Sequence, residues 1–500
     1  MKKIFTLLLV AMTAVVARAT DYIVPVTVVV NDVTSEQLGE FSIVENDGLY
    51  DVSLKNFILD SENGPMGVGN VELKGIQPYQ DGKATLFVTE KEVTITDGDD
   101  PNVVYWMAGM LPPVNVLLRG KIEDEHLYMN LYIDLMETMD QIIQVTVGEG
   151  YQMPNPGFEL WHPSDETHVE PDGWHSFETA TGALAAFGGH HLTKSKNAHS
   201  GEACARIYSS SILGIVANGT MTTGRLNADA MIATDPANNA YLDTSMPELD
   251  GAGKPFYIPL YSRPDSIAVW VRFRQGSVNP DHPYANISAV ITDGTYYQDP
   301  EDKVYTNVVA KAKNDKIATT DGEWVRVTAP FVYTENAVEP KAILVTISTN
   351  ADAGQGSDGD EVLVDDIELI YNAKVTGLKI NGQDVPGFSP DVFEYEMELE
   401  QGVTTEDIEV VVEGQSTHVI KDVSFIDSNV CTVMALGGDM KHMSTYVIRE
   451  KGSGTGIRSI KTPAGQSAYY TLDGRQAKTL APGRIYIRRQ ADGTVTKVRL

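Results

Sequence analysis

From residue 22 to residue 147 apolar and polar side chains alternate with a period of two. The runs Y-I-V-P-V-T-V-V-V, F-S-I-V-E, Y-D-V-S-L-K-N-F-I-L, V-E-L-K-G-I, A-T-L-F-V-T, V-N-V-L-L-R-G-K-I and L-Y-M-N-L-Y-I-D-L follow one another. Turn chemistry separates them, at Asn46-Asp47-Gly48, Asp81-Gly82 and Asp97-Gly98. Period two puts alternate side chains on opposite faces of a strand, so the segment predicts about eight strands at hairpin spacing. Closing them into an antiparallel barrel is the economical solution, because closure removes exposed sheet edges.

The rhythm changes at residue 151. Loops rich in Gly, Pro, Asn and Asp lengthen, and strands shorten to A-C-A-R-I-Y, S-I-A-V-W-V-R-F-R, A-N-I-S-A-V-I-T, W-V-R-V-T-A-P-F-V-Y, A-I-L-V-T-I-S-T and V-L-V-D-D-I-E-L-I-Y. Two packed sheets fit this pattern over residues 151–372. A smaller β piece spans 373–450, with hairpin chemistry at Asn381-Gly382 and alternation around Tyr395. The linker K-G-S-G-T-G (451–456) leads to a tail, 457–500, with turns at Asp473-Gly474 and Pro482-Gly483. The expected fold class is all-β throughout.

The first 19 residues have a basic start at Lys2 and Lys3, an apolar run and the A-x-A site Ala17-Arg18-Ala19. They read as a secretory signal cut after Ala19, so the protein is expected in the periplasm, on the outer surface or outside the cell. No other run reaches the roughly 18 apolar residues of a spanning helix. With 500 residues the chain exceeds one ordinary core, and roughly three or four domains are expected. Its formal net charge is −31, which becomes more negative once Lys2, Lys3 and Arg18 leave with the signal. The tail runs the other way, with nine Lys and Arg against Asp473 and Asp492. An acidic body repels nucleic acid, which removes that class of partner. Cys204 and Cys431, assigned to different domains, make no disulfide framework and are expected as small buried residues.

Catalytic signatures are sparse. There is no G-x-S-x-G and no helical H-x-x-x-H, and no Cys/His spacing fits zinc. The G-x-G at Gly67-Val68-Gly69 falls among barrel turns, away from any helix that would cradle phosphate. His162, His168, His175, His190, His191 and His199 crowd one loop-rich span, and Gly188-Gly189-His190-His191 invites a metal or catalytic reading. Without a supporting motif they are expected as solvated loop residues. With 69 acidic residues, carboxylate pairs of glycosidase type are unavoidable and carry no information.

Four motifs in order carry a resemblance: N-P-G-F-E-L-W at 155–161, Gly173-Trp174, H-S-G-E-A-C-A-R-I at 199–207 and V-D-D-I-E-L-I-Y at 364–371. With G-K-P-F at 253–256 and R-P-D-S-I-A-V-W-V at 263–271 between them, the 151–372 segment resembles the Bacteroidetes putative carbohydrate metabolism domain, a jelly roll similar to carbohydrate-binding modules. Segment 20–150 resembles calycin-like barrels of secreted Bacteroidetes proteins by pattern alone. The resemblance allows a small apolar ligand inside, but filling by the barrel's own side chains is the expected state. Residues 373–450 resemble small immunoglobulin-like domains. The tail, with A-Y-Y-T-L-D-G-R and P-G-R-I-Y-I, resembles export or surface-attachment modules, although Arg484 interrupts the usual G-I-Y-I.

What the resemblance implies is glycan binding. In the related modules the Glu of the F-E strand and the first Asp of the D-D pair meet at a sheet edge, where calcium takes them together with carbonyls of the S-G turn. Carried over, this nominates Glu159 and Asp365, with Ser200 and Gly201 lending carbonyls; a hydrogen-bonded carboxylate pair without metal is the alternative. Asp365 is in phase with Ile367 and Leu369 and is expected to point inward with them. Sugar stacking needs flat aromatic faces, and the candidates are Trp161, Tyr257, Tyr261, Tyr296 and Tyr297, the last two at an apparent loop tip. Trp174, Trp270 and Trp324 sit in apolar alternation and are expected in the core. The chain therefore reads as a secreted or surface-associated, non-catalytic protein whose partner is a polysaccharide or glycan. A glycoside hydrolase or lyase using the same face, and a structural or adhesive surface protein held by the tail, are the alternatives.

Overall fold

The alternation that opens the chain folds as one curled, nine-stranded antiparallel sheet, a half-barrel. Its strands are β1 (Arg18–Val30), β2 (Val33–Asn46), β3 (Leu49–Leu59), β4 (Met66–Ile76), β5 (Pro78–Asp81), β6 (Ala84–Val93), β7 (Val114–Glu123), β8 (His126–Asp134) and β9 (Ile142–Val147), in the order β4-β3-β2-β1-β9-β8-β7-β6-β5. The two edge strands, β4 and β5, are separated in the chain only by Gln77, so the edges approach one another at that residue. Tyr50 and Phe87 mark the approach, their rings 5.2 Å apart. Alternate residues point inward and bury Val26, Phe41, Ile43, Leu86, Val116 and Leu118. The Gly67-Val68-Gly69 segment expected in a turn lies inside β4.

The computed structural model describes residues 18–500 apart from 32, 60–65, 136–140, 213, 337, 401, 425–429, 452–467, 471–484, 490–494 and 500. Nearly all of the expected signal and linker, and much of the tail, lie outside the described residues. The described part of the tail is a three-stranded antiparallel sheet of Ala468–Tyr470, Ile485–Arg489 and Val495–Arg499. Helix among the described residues is limited to four 3-10 turns of three residues each.

The chain divides into two compact units. One comprises Met1–Tyr132, Gln144–Tyr371 and Gly438–Lys441; the other comprises Ile133–Ile143, Asn372–Gly437 and His442–Leu500. In the first, residues 151–371 build a sandwich. One sheet runs Leu192–Ser195, Cys204–Tyr208, Glu361–Ile370, Ser266–Arg274 and Val325–Pro330. The other runs Thr220–Thr222, Ala342–Ser348, Ala285–Thr292, Val308–Ile317 and Val332–Tyr333. Their facing sides bury Ile267, Val269, Val271 and Phe273 against Ile287, Ala289, Ile291, Ile343, Val345 and Ile347. A third, three-stranded sheet (Arg225–Ala228, Asn238–Leu242, Tyr297–Asp299) covers part of the second sheet's outer side. Leu226, Ala240, Leu242 and Tyr297 pack there on Val290, Val308, Ala342 and Leu344.

The second unit holds a smaller two-sheet core around Val375, Leu378, Ile380, Tyr395, Ile408, Val433, Tyr446 and Ile448. In it Glu394–Met397 runs parallel to Met443–Glu450, whereas the other pairs are antiparallel. Cys204 and Cys431 are both free and buried, as expected.

Candidate functional site

The opening loop is fastened by Asn155. Its side-chain carbonyl accepts from the Leu160 amide at 3.0 Å, and its amide donates to the carbonyls of Leu160 and Asp172 at 2.9 and 3.3 Å. Phe158 drops into the core beside Trp174, with ring centroids 5.5 Å apart. The Ile367 amide donates to the Pro156 carbonyl at 2.9 Å, so the opening loop meets the closing strand, Glu361–Ile370, directly.

The four residues nominated for calcium share one turn. Glu159 accepts from the amides of Glu202 (2.8 Å) and Ala203 (3.2 Å). Asp365 accepts from the amides of His199 (2.7 Å), Ser200 (3.3 Å) and Asp366 (2.9 Å). Ser200 contributes its N–H and also its hydroxyl, which donates to Asp366 at 2.8 Å. Gly201 has φ +64°, which favours glycine, and a Cβ there would stand 2.1 Å from Glu159 Oε1, so a larger residue would displace that carboxylate. A cation needs oxygen lone pairs aimed at it, whereas this turn aims amide hydrogens at both carboxylates. Amides occupy one oxygen of Glu159 and both of Asp365, which fits the alternative of carboxylates that fasten a turn, and nothing below is routed through a metal there.

Asp365 differs from the sequence expectation in its direction. It pairs with Trp270, while Val364 pairs with the core residue Val271. Paired residues share a face, so Asp365 lies on the outer side of the sheet, buried beneath the 199–201 turn. A bulge explains the change. The ladder slips between Ala268 and Trp270, and Asp366 takes φ +44°, so the inward set is Val362 and Val364 before the bulge but Ile367 and Leu369 after it. Burial and the adjacent Asp366 charge push the Asp365 carboxyl up to about 7, against the pull of its three amides.

On that outer face His199 stacks on Trp270 at 3.9 Å and meets Trp324 edge-on at 5.8 Å. Both tryptophans are half-buried and belong to no core cluster, contrary to expectation; Trp174 alone of the three is core. The His199 imidazole is held by Asp366 at 2.6 Å and covers one face of Trp270.

The aromatic candidates separate cleanly. Tyr297 is 1 % exposed and belongs to the floor under the three-stranded sheet, so it cannot stack on a sugar. Tyr261 is half-buried, stacked on His126 at 3.8 Å. Trp161 packs against the sandwich core, its indole N–H donating to the Phe158 carbonyl. Tyr257 packs against the same floor as Tyr297. Tyr296 is 39 % exposed, and it does not stand alone. Its ring lies 5.8 Å from Tyr241 and 6.5 Å from Tyr305. Pairing of Tyr241 with Arg225 and Gln298, and of Asn239 with Asn227, puts all five on the side of the three-stranded sheet away from its apolar floor. The Tyr296 hydroxyl donates to Gln298 Oε1 at 2.9 Å, and Thr181 meets the Tyr241 hydroxyl at 3.3 Å. Burial raises the Tyr296 phenol pKa, and the charges of Asp302 and Asp243 beside it add to the rise. Tyr241 escaped sequence reasoning because the sheet joins segments far apart in the chain, and Tyr305 because it lies in the irregular loop that follows Tyr297–Asp299.

The crowded histidines are mostly not solvated. His175 and His191 are fully buried and His162 nearly so. His162 bonds Asp172 at 2.9 Å, His175 bonds Asp250 at 3.3 Å and the Gly224 carbonyl at 2.8 Å, and His191 bonds the Tyr208 carbonyl at 2.7 Å. His175 and His191 have both ring nitrogens bonded and are structural ties, while His162 is tied through Nδ1 alone, its buried Nε2 having no hydrogen-bond partner. His168 and His190 stay near the surface.

Comparison with known proteins places few constraints on this site. No family model matches the chain. No curated protein matches it either. Among solved structures, a putative glycoside hydrolase from Bacteroides thetaiotaomicron is similar over 50 % of this chain and 81 % of its own, at 16 % identity and a TM-score of 0.34. A putative glycoside hydrolase from Bacteroides vulgatus is similar over 44 % of this chain and 98 % of its own, at 16 % identity and a TM-score of 0.30. A structure of carbohydrate-binding modules of promiscuous specificity, from the β-sandwich superfamily, is similar over 66 % of this chain and 97 % of its own, at 9 % identity and a TM-score of 0.20. No helix among the described residues is long and apolar enough to cross a membrane.

Proposed function

We propose that this is an exported, non-catalytic glycan-binding protein, and that the sugar lies on the tyrosine face of the three-stranded sheet. The observation that carries the reading is the 39 % exposed ring of Tyr296, set beside half-buried Tyr241 and Tyr305 over an apolar floor. Flat rings offer faces to sugar C–H groups, while the amide donors of Asn227, Asn239 and Gln298 are spent on protein oxygens and hold the rings in place. The charges beside Tyr296 are those of Asp243 and Asp302, while Lys303 lies over the Tyr305 ring, 5.1 Å from its centroid, so Tyr296 is the ring left open to a sugar. Carboxylates accept from sugar hydroxyls but repel uronates and sulfates, so the ligand class is neutral saccharide.

Export is supported by the leader pattern of residues 1–19, and envelope association by the basic tail. The test of the reading is a glycan array with the full chain, followed by affinity electrophoresis on neutral and anionic polysaccharides. Retention by neutral glycans is expected. Empty results on every class would remove the glycan-binding reading and favour an adhesive or structural role.

A further inference from the structure

We propose that His168, Glu178 and His190 form a binding site for a first-row divalent metal of the zinc class, separate from the tyrosine face. One ligand atom from each of the three lies within 4.8 Å of the others, the only such group of three among the described residues. The imidazoles of His168 and His190 stack with centroids 3.3 Å apart and planes 18° apart, so one ring turns out of the stack when both lone pairs converge on an ion. Glu178 pairs with Nδ1 of His190. Two imidazoles and one carboxylate form a mixed nitrogen and oxygen set, which suits zinc, cobalt, nickel or copper and not calcium.

The three side chains come from three separately anchored segments. His168 closes the loop between Trp161–Pro163 and Val169–Pro171, two strands that pair in register. Its Nδ1 meets both Asp165 carboxylate oxygens, at 2.7 and 2.9 Å, and Asp165 is itself fixed by the amides of Thr167 and His168. A carboxylate on Nδ1 keeps the proton there and leaves the lone pair on Nε2, the arrangement that orients metal-binding histidines. Glu178 lies in the short turn Phe177–Thr179, capped by Ser176, and its side chain is only 7 % exposed. That turn is tied down by buried Glu170, which accepts from Ser176 and Thr179. His190 precedes buried His191, whose ring is held between the carbonyls of Tyr208 and Gly188. With His191 locked inward, its neighbour is directed to the surface. The site thus has three ligands, an orienting carboxylate and a half-exposed side at His190, where water can complete the coordination.

The spacing of these residues along the chain matches no metal motif, which is why the sequence does not announce the site. The test uses the full chain freed of metal by chelator and gel filtration, then titrated with Co(II) while d–d absorption is followed. Zn(II) is then added as competitor, and calorimetry gives the stoichiometry. The expected result is one equivalent bound, with visible bands in the range of low-coordinate Co(II) that Zn(II) abolishes. His190→Ala and Glu178→Gln should each weaken metal binding at least tenfold while leaving the circular dichroism and melting temperature of the metal-free protein unchanged. Asp165→Asn, one step removed from the metal, should cost about 10- to 100-fold. Absence of saturable binding at micromolar metal would overturn the site. So would binding that persists unchanged in both His190→Ala and His168→Ala, since it would then belong to other histidines.

Discussion

Gly201→Ala tests the turn that joins the opening and closing motifs of the sandwich. Two effects act there. Alanine at φ +64° is strained by about 1 kcal/mol. Its Cβ would also overlap Glu159 Oε1, at 2.1 Å, so the carboxylate must leave the amides of Glu202 and Ala203. Each amide-to-carboxylate bond lost costs about 1 kcal/mol net, since Glu159 is half-exposed and water replaces part of the bond. The sum is about 3 kcal/mol of stability for the first compact unit. Tryptophan fluorescence during urea unfolding reads that unit alone, because all five tryptophans, Trp106, Trp161, Trp174, Trp270 and Trp324, belong to it. Repeating the substitution in a Glu159→Ala background isolates the coupling: only the backbone term of about 1 kcal/mol should remain. An equal cost of Gly201→Ala in both backgrounds would refute the reasoning, because the glycine would then not be there to admit the carboxylate.

Three further outcomes follow from the same structure. Asp365, pushed up to about 7 from an ordinary 3.8, binds its proton more tightly in the folded protein than in the unfolded chain. Its contribution is therefore full at acid pH and is lost as pH rises through about 4 to 7, and the gap in melting temperature between wild type and Asp365→Asn should close or reverse over that window; a gap independent of pH would contradict the assignment. Adding calcium to chelator-treated protein should leave the tryptophan-monitored stability unchanged, because amides of the turn satisfy Glu159 and Asp365; a stability gained with calcium would count against that geometry. Tyr297→Ala should cost about 3–5 kcal/mol by emptying the floor of the three-stranded sheet, whereas Tyr296→Ala, one residue away but 39 % exposed, should cost about 1–2 kcal/mol in urea unfolding.

The strand pattern made the architecture legible, because period-two alternation is a direct imprint of a sheet with one buried face. The opening and closing motifs also met as the sequence implied, through the Ile367 amide and the Pro156 carbonyl. Side-chain direction was less legible. Counting by twos put Asp365 inward with Ile367 and Leu369, but the bulge at Asp366 reverses the parity and places it beneath the 199–201 turn. Apolar alternation likewise suggested core positions for Trp270 and Trp324, although their strands show an outer face roofed by the His199 turn. At the tyrosine face the sequence pointed to Tyr296 through its glycine turn at Gly294 (φ +88°). It could not separate Tyr296 from buried Tyr297, because the strand begins between them, at Tyr297. Tyr241 and the histidine–glutamate group depend on contacts between segments distant in sequence, and no local pattern records those.

The central claim is that a neutral glycan stacks on the exposed ring of Tyr296. Tyr296 leaves 39 % of its surface exposed. For a ring that buries about 200 Å2 in full, that is about 80 Å2 open to a ligand. Covering it contributes at most about 2 kcal/mol, or roughly 30-fold in Kd. The deciding measurement is a calorimetric titration of the full chain, wild type against Tyr296→Ala, with the neutral oligosaccharide best retained on the array. The account predicts a Kd raised between about 10- and 30-fold in the variant, with Tyr296→Phe close to wild type because the ring face persists. Binding by Tyr296→Ala indistinguishable from wild type would contradict it, and would move the sugar to another face of the sandwich.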